Sequence, residues 1–220
     1  TEICLQKNNE VTGISRTNAL QQPNFSHIAA DLSISENLLN FKFPNINKAC
    51  ERIVLINNAA QITPVKYCGE ADNKAIAGAL TLNLIAPVVL SNIFIATFEN
   101  HSAEKIIINI SSGAANYPVD GWSVYCSSKA ALDMFSRTIA MEREKRKSGF
   151  KIASIAPGIV DTHMQSAIRQ TNAADFSRIE DFINYKNQNQ LQTPEAAAEK
   201  IYSAINRLNS IQDVVFSIKN

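Results

Sequence analysis

A tyrosine and a lysine at i and i+4 are the residues of this sequence best suited to chemistry. Tyr125 and Lys129 stand near the start of a predicted helix, and residues at this spacing lie on one helix face. An unperturbed phenol has a pKa of about 10 and is a poor acid–base catalyst at neutral pH. A neighbouring ammonium lowers that pKa, so Tyr125 is predicted to exchange a proton with a substrate oxygen. Alone the pair is a weak signal, because a surface tyrosine packed on a lysine stem has the same spacing.

Ser112 strengthens the interpretation because of where it lies. It follows the apolar run Ile106–Ile110, a predicted strand, and ligands of parallel sheets bind outside the carboxyl ends of the strands. From that position its hydroxyl can donate a hydrogen bond to a carbonyl oxygen while Tyr125 protonates it. The alternative for Ser112 and Gly113 is a simple turn.

The elements that must position these residues alternate between short apolar runs and longer helical segments. Continuous apolarity, as in Ile106–Ile108, is typical of parallel strands buried on both faces. The alternation predicts an α/β fold with a Rossmann-like, doubly wound parallel sheet. The predicted strands are Glu10–Arg16, His27–Ala30, Arg52–Asn57, Lys105–Ser111, Phe150–Ala156 and Asp213–Ile218, and the predicted helices are Ile34–Phe41, Ala71–Asn100, Ser123–Lys147 and Pro194–Leu208, with Glu2–Asn8 as the tail of another.

Composition excludes several classes of function. The 220 residues fit a single domain, 1–220. With 21 basic and 20 acidic residues the formal charge is +1, which gives no general field for nucleic acid or an anionic membrane. The longest apolar stretch, Leu82–Leu90, is interrupted by Asn83 and Pro87 and falls short of the roughly 20 residues that span a bilayer. We expect a cytoplasmic protein.

Cysteine spacing argues against a metal site. Cys4, Cys50, Cys68 and Cys126 form no C-x-x-C pair and have no nearby histidine pattern for zinc. Two disulfides would suit a secreted protein, but buried free thiols in a reducing cytosol are the favoured interpretation.

Further motifs around these residues identify a family. They are Asn57–Ala60 after a strand, Asn83 between two leucines, Ile110–Ser112, Tyr125–Lys129 and Pro157–Thr162. Because these motifs stand in this order and spacing, the chain resembles the short-chain dehydrogenase/reductase family across nearly its whole length. Within the family, Gly121–Cys126 and Met164–Gln190 are most similar to benzil reductases and sepiapterin reductases.

The resemblance implies a reductase that passes hydride from a nicotinamide to a ketone carbon. It implies a proton relay of Asn83, Ser112, Tyr125 and Lys129, in which Asn83 holds a water beside Lys129. The alternative for Asn83 is a residue that caps or kinks a long helix. Substrate would meet Ser112, Trp122 and Tyr125. The implied cofactor-binding residues are Ser15, Arg16, Thr17, Asp31, Leu32, Asn58, Ala59, Ala60, Tyr125, Lys129, Pro157, Gly158, Val160 and Thr162.

The cofactor preference follows from the end of the second strand of the family's fold. Arg16 stands where an NAD-specific protein would carry an acidic residue for the ribose hydroxyls. Its planar guanidinium suits a 2′-phosphate, and no carboxylate is expected nearby to repel that phosphate, so NADP(H) is predicted. The alternative is an ordinary surface arginine. By resemblance Asp31 would meet the adenine amino group, and its alternative is a helix N-cap.

Two departures from the family pattern bear on activity. Ala60 replaces the last glycine of the Asn-Asn-Ala-Gly motif, which adds a methyl group near the cofactor. The chain also has no glycine-rich turn, and the first strand of the fold is apparently missing. That strand would lie in mid-sheet, so its loss should leave two strand edges unpaired. The chain is therefore either part of a longer enzyme or an inactive relative that acts as a binding or scaffold protein.

Three further expectations concern substrate and assembly. Residues 164–192 are predicted to form a mobile helical lid. The aromatic residues Tyr117 and Trp122 favour a flat or aromatic ketone or diketone, although core packing explains aromatic residues equally well. By resemblance we expect a homodimer or homotetramer through Ala71–Asn100 and Ser123–Lys147. A sugar epimerase or dehydratase ranks last, because too few residues follow Gly158 for an added substrate domain.

Overall fold

The protein alternates strands and helices as predicted. The computed structural model describes residues 1–18, 20–46 and 49–218. Its strands are β1 Val11–Ser15, β2 Phe25–Ala29, β3 Arg52–Asn57, β4 Glu104–Ile110, β5 Phe150–Ala156 and β6 Val215–Ser217. Its α-helices are α1 Glu2–Gln6, α2 Ser35–Leu39, α3 Asn73–Leu80, α4 Ala86–Phe98, α5 Ser123–Lys145, α6 His163–Arg169, α7 Ile179–Asn187 and α8 Pro194–Asn206.

Four parallel strands form the larger sheet, in the order β3-β4-β5-β6. Its central strand β4 is buried on both faces. Ile107 packs with Phe94 of α4, whereas Ile106 and Ile108 pack on the opposite side with Ala204 of α8. The residues of β4 are apolar at successive positions because helices cover both faces of this parallel strand, as expected. The Rossmann-like fold class is confirmed.

The remaining two strands form a separate sheet. β1 and β2 pair in parallel, with Val11 opposite Phe25 and Ser15 opposite Ala29. A cleft lined by both β1 and β3 lies between the two sheets, and no described residue forms a strand within it. The facing edges of β1 and β3 are thus unpaired within the described part of the chain, as the sequence predicted for a fold without its first mid-sheet strand.

The predicted helix Ala71–Asn100 is continuous, but it is not uniform. A π-helical turn at Thr81–Ile85 joins α3 to α4, and Pro87 stands in the first turn of α4. The resulting Asn73–Phe98 helix is 26 residues long and is apolar enough to cross a membrane by length and composition. The contiguous apolar stretch is interrupted at Asn83 and Pro87, as the sequence shows, and it is the helix as a whole that meets this criterion. Residues such as Leu90 and Phe94 pack in the core, whereas Ile85 is 43% exposed, and one such helix is weak evidence for a membrane span.

Two element boundaries and the environment of the cysteines differ from the sequence prediction. β2 begins at Phe25 rather than His27, and α5 ends at Lys145 rather than Lys147. All four cysteines are free, but none is buried: Cys68 is exposed and the other three are half-buried, so the expectation of buried thiols was wrong. The Leu38 side chain of the short helix α2 is buried in the same core as Phe94.

Candidate active site

Helix α5 brings Tyr125 and Lys129 together on its sheet-facing side. The two side chains are 7% and 3% exposed. The Lys129 Nζ lies 5.7 Å from the centroid of the Tyr125 ring and donates a hydrogen bond to the Ile110 carbonyl oxygen at 2.8 Å. Ser112, two residues beyond Ile110, lies close enough to the Tyr125 side chain to lower its pKa. The fold therefore assembles the predicted serine, tyrosine and lysine in one place.

Burial sets the acidity of the pair. Burial raises the pKa of Tyr125 above its usual value, and the Ser112 hydrogen bond only partly opposes this. The expectation that Lys129 lowers the pKa of Tyr125 was wrong for this structure, since the loss of hydration is the largest influence on that pKa and raises it. Burial also lowers the pKa of Lys129 to about 8, against the charge of Asp133. At neutral pH Tyr125 is a protonated acid beside an ammonium.

The strand end that carries Ser112 has two serines in different environments. Ser112 precedes a short 3₁₀ turn, and its Oγ accepts a hydrogen bond from the Ala114 amide at 3.2 Å. The turn considered as an alternative is present, and the same hydroxyl also meets Tyr125. The Ser111 hydroxyl is buried and finds no partner among the described residues. This hydroxyl therefore leaves the site with a hydrogen-bonding group that a ligand can use.

Asn83 lies in the π-helical turn, with its side chain already engaged. Its Oδ1 accepts from the Gln61 amide at 2.9 Å, and its Nδ2 donates to the Gln61 carbonyl at 2.8 Å. The Nδ2 also lies 3.4 Å from the Ser128 hydroxyl. Asn83 thus ties the segment after β3 to the helix beside Lys129, and π turns are frequent at functional sites. Its water-holding role stays a prediction.

Residues 164–192 pack an aromatic wall against the tyrosine. Trp122 stacks on Phe176 with centroids 5.2 Å apart and an interplanar angle of 21°, and Phe182 lies 5.5 Å from Trp122. Trp122 in turn meets Tyr125 edge-on at 5.8 Å. A parallel bridge between Val160 and Gln192 joins the two ends of the segment. The helical part of the lid expectation agrees with α6 and α7, and its mobility stays a prediction.

Two carboxylates that the sequence did not single out hold this segment down. Asp120 accepts hydrogen bonds from the Ser177 amide at 2.8 Å and from its hydroxyl at 3.0 Å. Asp175, 7% exposed, pairs with Lys66 at 2.7 Å. These contacts join residues far apart in sequence, so no local pattern could have revealed them.

The cleft beside this constellation has a volume of about 2590 Å³. Most of the predicted cofactor residues line it, and Arg16 and Asp31 do not. The predicted residues that line it are Ser15, Thr17, Leu32, Asn58, Ala59, Ala60, Ser112, Trp122, Tyr125, Lys129, Pro157, Gly158, Val160 and Thr162. With the unpartnered Ser111 hydroxyl at its edge, the cleft fits the polar nicotinamide end of a dinucleotide.

Arg16 and Asp31 lie near each other outside that lining. Asp31 Oδ1 accepts from the Ser33 amide at 2.9 Å and from the Ser33 hydroxyl at 2.6 Å. These bonds lower the pKa of Asp31, and Arg16 adds a smaller electrostatic contribution. The expectation that no carboxylate stands near Arg16 was wrong, because the fold brings Asp31 close. The N-cap of α2 is Ile34, so Asp31 organises the turn before that helix rather than capping it.

Comparison with known proteins decides the family. A family model described as short chain dehydrogenase matches residues 3–173. The chain belongs to the short-chain dehydrogenase family. Members of this family are oxidoreductases that use a nicotinamide cofactor.

Two curated relatives support the narrower resemblance. A benzil reductase, (S)-benzoin forming, of Bacillus subtilis is 43% identical over 155 residues, which are 70% of this chain and 64% of the relative. A sepiapterin reductase of Xenopus tropicalis is 28% identical over 156 residues, 70% of this chain and 58% of the relative. The chain thus matches less than two thirds of the length of these relatives. The predicted likeness to both groups is confirmed.

A solved structure agrees over almost the whole chain. A short-chain dehydrogenase/reductase from Saccharomyces cerevisiae superimposes with a TM-score of 0.76 at 25% identity, covering 99% of this chain and 88% of that one. The two-sheet arrangement is therefore a variation on the family fold rather than a different fold.

Proposed function

We propose that this protein reduces a ketone or diketone to an alcohol with NADPH, and that Tyr125 donates the proton. The observation that carries the proposal is the buried Tyr125 side chain, whose pKa Ser112 acts on and whose ring lies beside the Lys129 ammonium. The relatives named benzil and sepiapterin reductases support carbonyl reduction as the type of reaction.

The chain's own residues supply the proton chemistry. When bound, the cofactor supplies a hydride for the carbonyl carbon. Tyr125 transfers its phenolic proton to the carbonyl oxygen, so an O–H bond forms on the product as the tyrosine O–H bond breaks. Ser112 donates a hydrogen bond to the same oxygen, and the Lys129 ammonium stabilises the phenolate left behind. Because burial raises the pKa of Tyr125, its proton is present at neutral pH.

An aromatic diketone is the substrate class that the surroundings favour. Trp122, Phe176 and Phe182 form an apolar wall next to Tyr125, and flat rings gain most from stacking on such a wall. The Bacillus subtilis relative is named for benzil, a diketone with two aromatic rings. Residues 164–192 are proposed to open and close over this wall as a lid.

The test compares Tyr125→Phe with the wild-type enzyme in NADPH consumption with benzil. Loss of the proton donor should lower kcat by about a thousandfold, with little change in the melting temperature. Tyr202→Phe, on α8, is the matched control and should retain full activity. Equal turnover by Tyr125→Phe and wild type would show that another group donates the proton.

No observation in the described site favours the inactive binding or scaffold protein, since its serine, tyrosine and lysine lie together. We further propose a cytoplasmic homodimer or homotetramer that contacts its partner through Ala71–Asn100, which contains α3 and α4, and through Ser123–Lys147, which contains α5. Met134 and Met141 of α5 are 59% and 50% exposed, and exposed apolar side chains of this kind suit such a contact.

A further inference from the structure

A row of polar side chains crosses the larger sheet beneath α5. Asn57, Asn109 and Ser154 are neighbours on β3, β4 and β5. Asn57 Nδ2 donates to Asn109 Oδ1 at 2.8 Å, and Asn109 Nδ2 donates to the Ser136 hydroxyl at 2.9 Å. The Ser154 hydroxyl donates to Asp133 Oδ1 at 2.6 Å. Among these side chains Asp133 carries the single carboxylate.

Asp133 is buried as deeply as the lysine one helical turn before it. Both side chains are 3% exposed. A buried carboxylate costs several kcal/mol unless a cation and hydrogen bonds compensate it. Ser154 provides the hydrogen bond, and the charge of Asp133 acts on Lys129, whose pKa it raises against the effect of burial. The charge of Asp133 therefore offsets part of the effect of burial on Lys129.

Lys129 has few other means of keeping its proton. Its Nζ bonds the neutral Ile110 carbonyl, and burial favours the uncharged amine. Among the described residues, Asp133 is the charged group that acts on Lys129. Tyr125 lies beside Lys129 on the same helix, and Cys126 acts on Tyr125. The side chains that the sheet and the π-helical turn place against this part of α5 are uncharged: Ser112 near Tyr125, Asn83 near Ser128 and Ser154 near Asp133.

We propose that Asp133 is a positioning residue: its carboxylate, held by the Ser154 hydroxyl, keeps Lys129 charged while Tyr125 transfers its proton. The role in turnover rests on the proposed function, whereas the electrostatic link between Asp133 and Lys129 does not. Asp133 acts through Lys129 and does not itself touch the reacting atoms.

The direct test is an NMR titration of lysine side chains labelled with ¹³C at Cε. Asp133→Asn preserves the shape and an oxygen for Ser154 but removes the charge. Lys129 is assigned from the signal that Lys129→Arg lacks. We expect Lys129 to titrate near pH 8 in the wild type, where its pKa is about 8, and about one pH unit lower in Asp133→Asn.

Ser154→Ala is the matched control, since it removes a neutral contact and retains the carboxylate. Its Lys129 should titrate much closer to the wild-type value than that of Asp133→Asn. An unchanged titration of Lys129 in Asp133→Asn would overturn the proposal. This measurement needs no turnover, so it stands even when the proposed reductase activity fails.

The pH profile of turnover separates this role from simple packing. With Lys129 titrating one unit lower, Asp133→Asn should lose about twofold of kcat at about pH 7 and about fivefold at about pH 8. KM for benzil should stay unchanged. A loss of equal size at every pH would indicate a packing defect and contradict the proposal.

When Asp133→Asn does not fold, a measurement on the wild-type protein tests the proposal instead. The proposal requires an ionised Asp133 at neutral pH, which the ¹³C shift of its carboxyl carbon reports. A protonated carboxyl at that pH would overturn it, because a neutral group cannot hold the charge of Lys129.

Discussion

The two sides of the cleft are built differently. On the substrate side, α5, β4 and β5 enclose Tyr125 and Lys129 in a buried polar network under residues 164–192. On the opposite side, β1 pairs with β2 alone among the described strands, and its other edge faces the cleft. Burial therefore controls the proton chemistry on the substrate side. The opposite side consists of a single pair of strands and more exposed groups.

The largest expected difference between the two sides is in how much a core substitution lowers the free energy of unfolding. Ile107→Ala, in β4 between two neighbouring strands and 0% exposed, should lower the free energy of unfolding by about 2–5 kcal/mol. Ile14→Ala, in β1 and only partly buried, should lose less than half as much. Urea unfolding of both variants measures this contrast. Equal losses would mean that β1 is as integral to the core as β4.

A glycine pair tests how tightly the substrate side is closed. A Cβ on Gly121, at φ +71°, would stand 2.3 Å from the Asp175 carbonyl oxygen, whereas one on Gly69, at φ +101°, would meet nothing within 4 Å. Both alanine variants should lose about 1 kcal/mol from the left-handed backbone. Gly121→Ala should lose about 1–3 kcal/mol more, because the segment around Asp175 must move.

Thermal and urea unfolding, with limited proteolysis of residues 164–192, measure the glycine contrast. Faster cleavage in Gly121→Ala alone is the expected pattern. Equal stability of the two variants would show that the lid segment yields freely and that the substrate side is less closed than its packing indicates.

The smallest expected effect is on cofactor binding at the side of the cleft that β1 and β2 form. Arg16→Ala should weaken NADP binding by about tenfold, or about 1.4 kcal/mol, because a guanidinium–phosphate contact is lost. NAD binding should not change. Arg137→Ala, exposed on α5, is the control and should leave both affinities unaltered. Isothermal titration calorimetry with each cofactor measures this, and an equal loss for NAD and NADP would remove Arg16 from phosphate recognition.

The sequence was informative wherever the relevant interactions are local. The i,i+4 spacing of Tyr125 and Lys129 placed both on one helix face, and the contiguous isoleucines of β4 marked a strand buried on both sides. β3 and β5 have the predicted bounds. Such features depend on helix and strand geometry within a few residues, so they can be predicted without a fold.

Tertiary structure alone decided what those residues are surrounded by. Burial reversed the expected shift in the pKa of Tyr125, the fold brought Asp31 to Arg16, and Asp120 came to hold Ser177. Asp133 is an ordinary helical residue in the sequence and becomes a buried counter-charge only where β5 presents Ser154. Desolvation and pairing depend on segments distant along the chain, and the electrostatics of the site therefore became visible only in the folded protein.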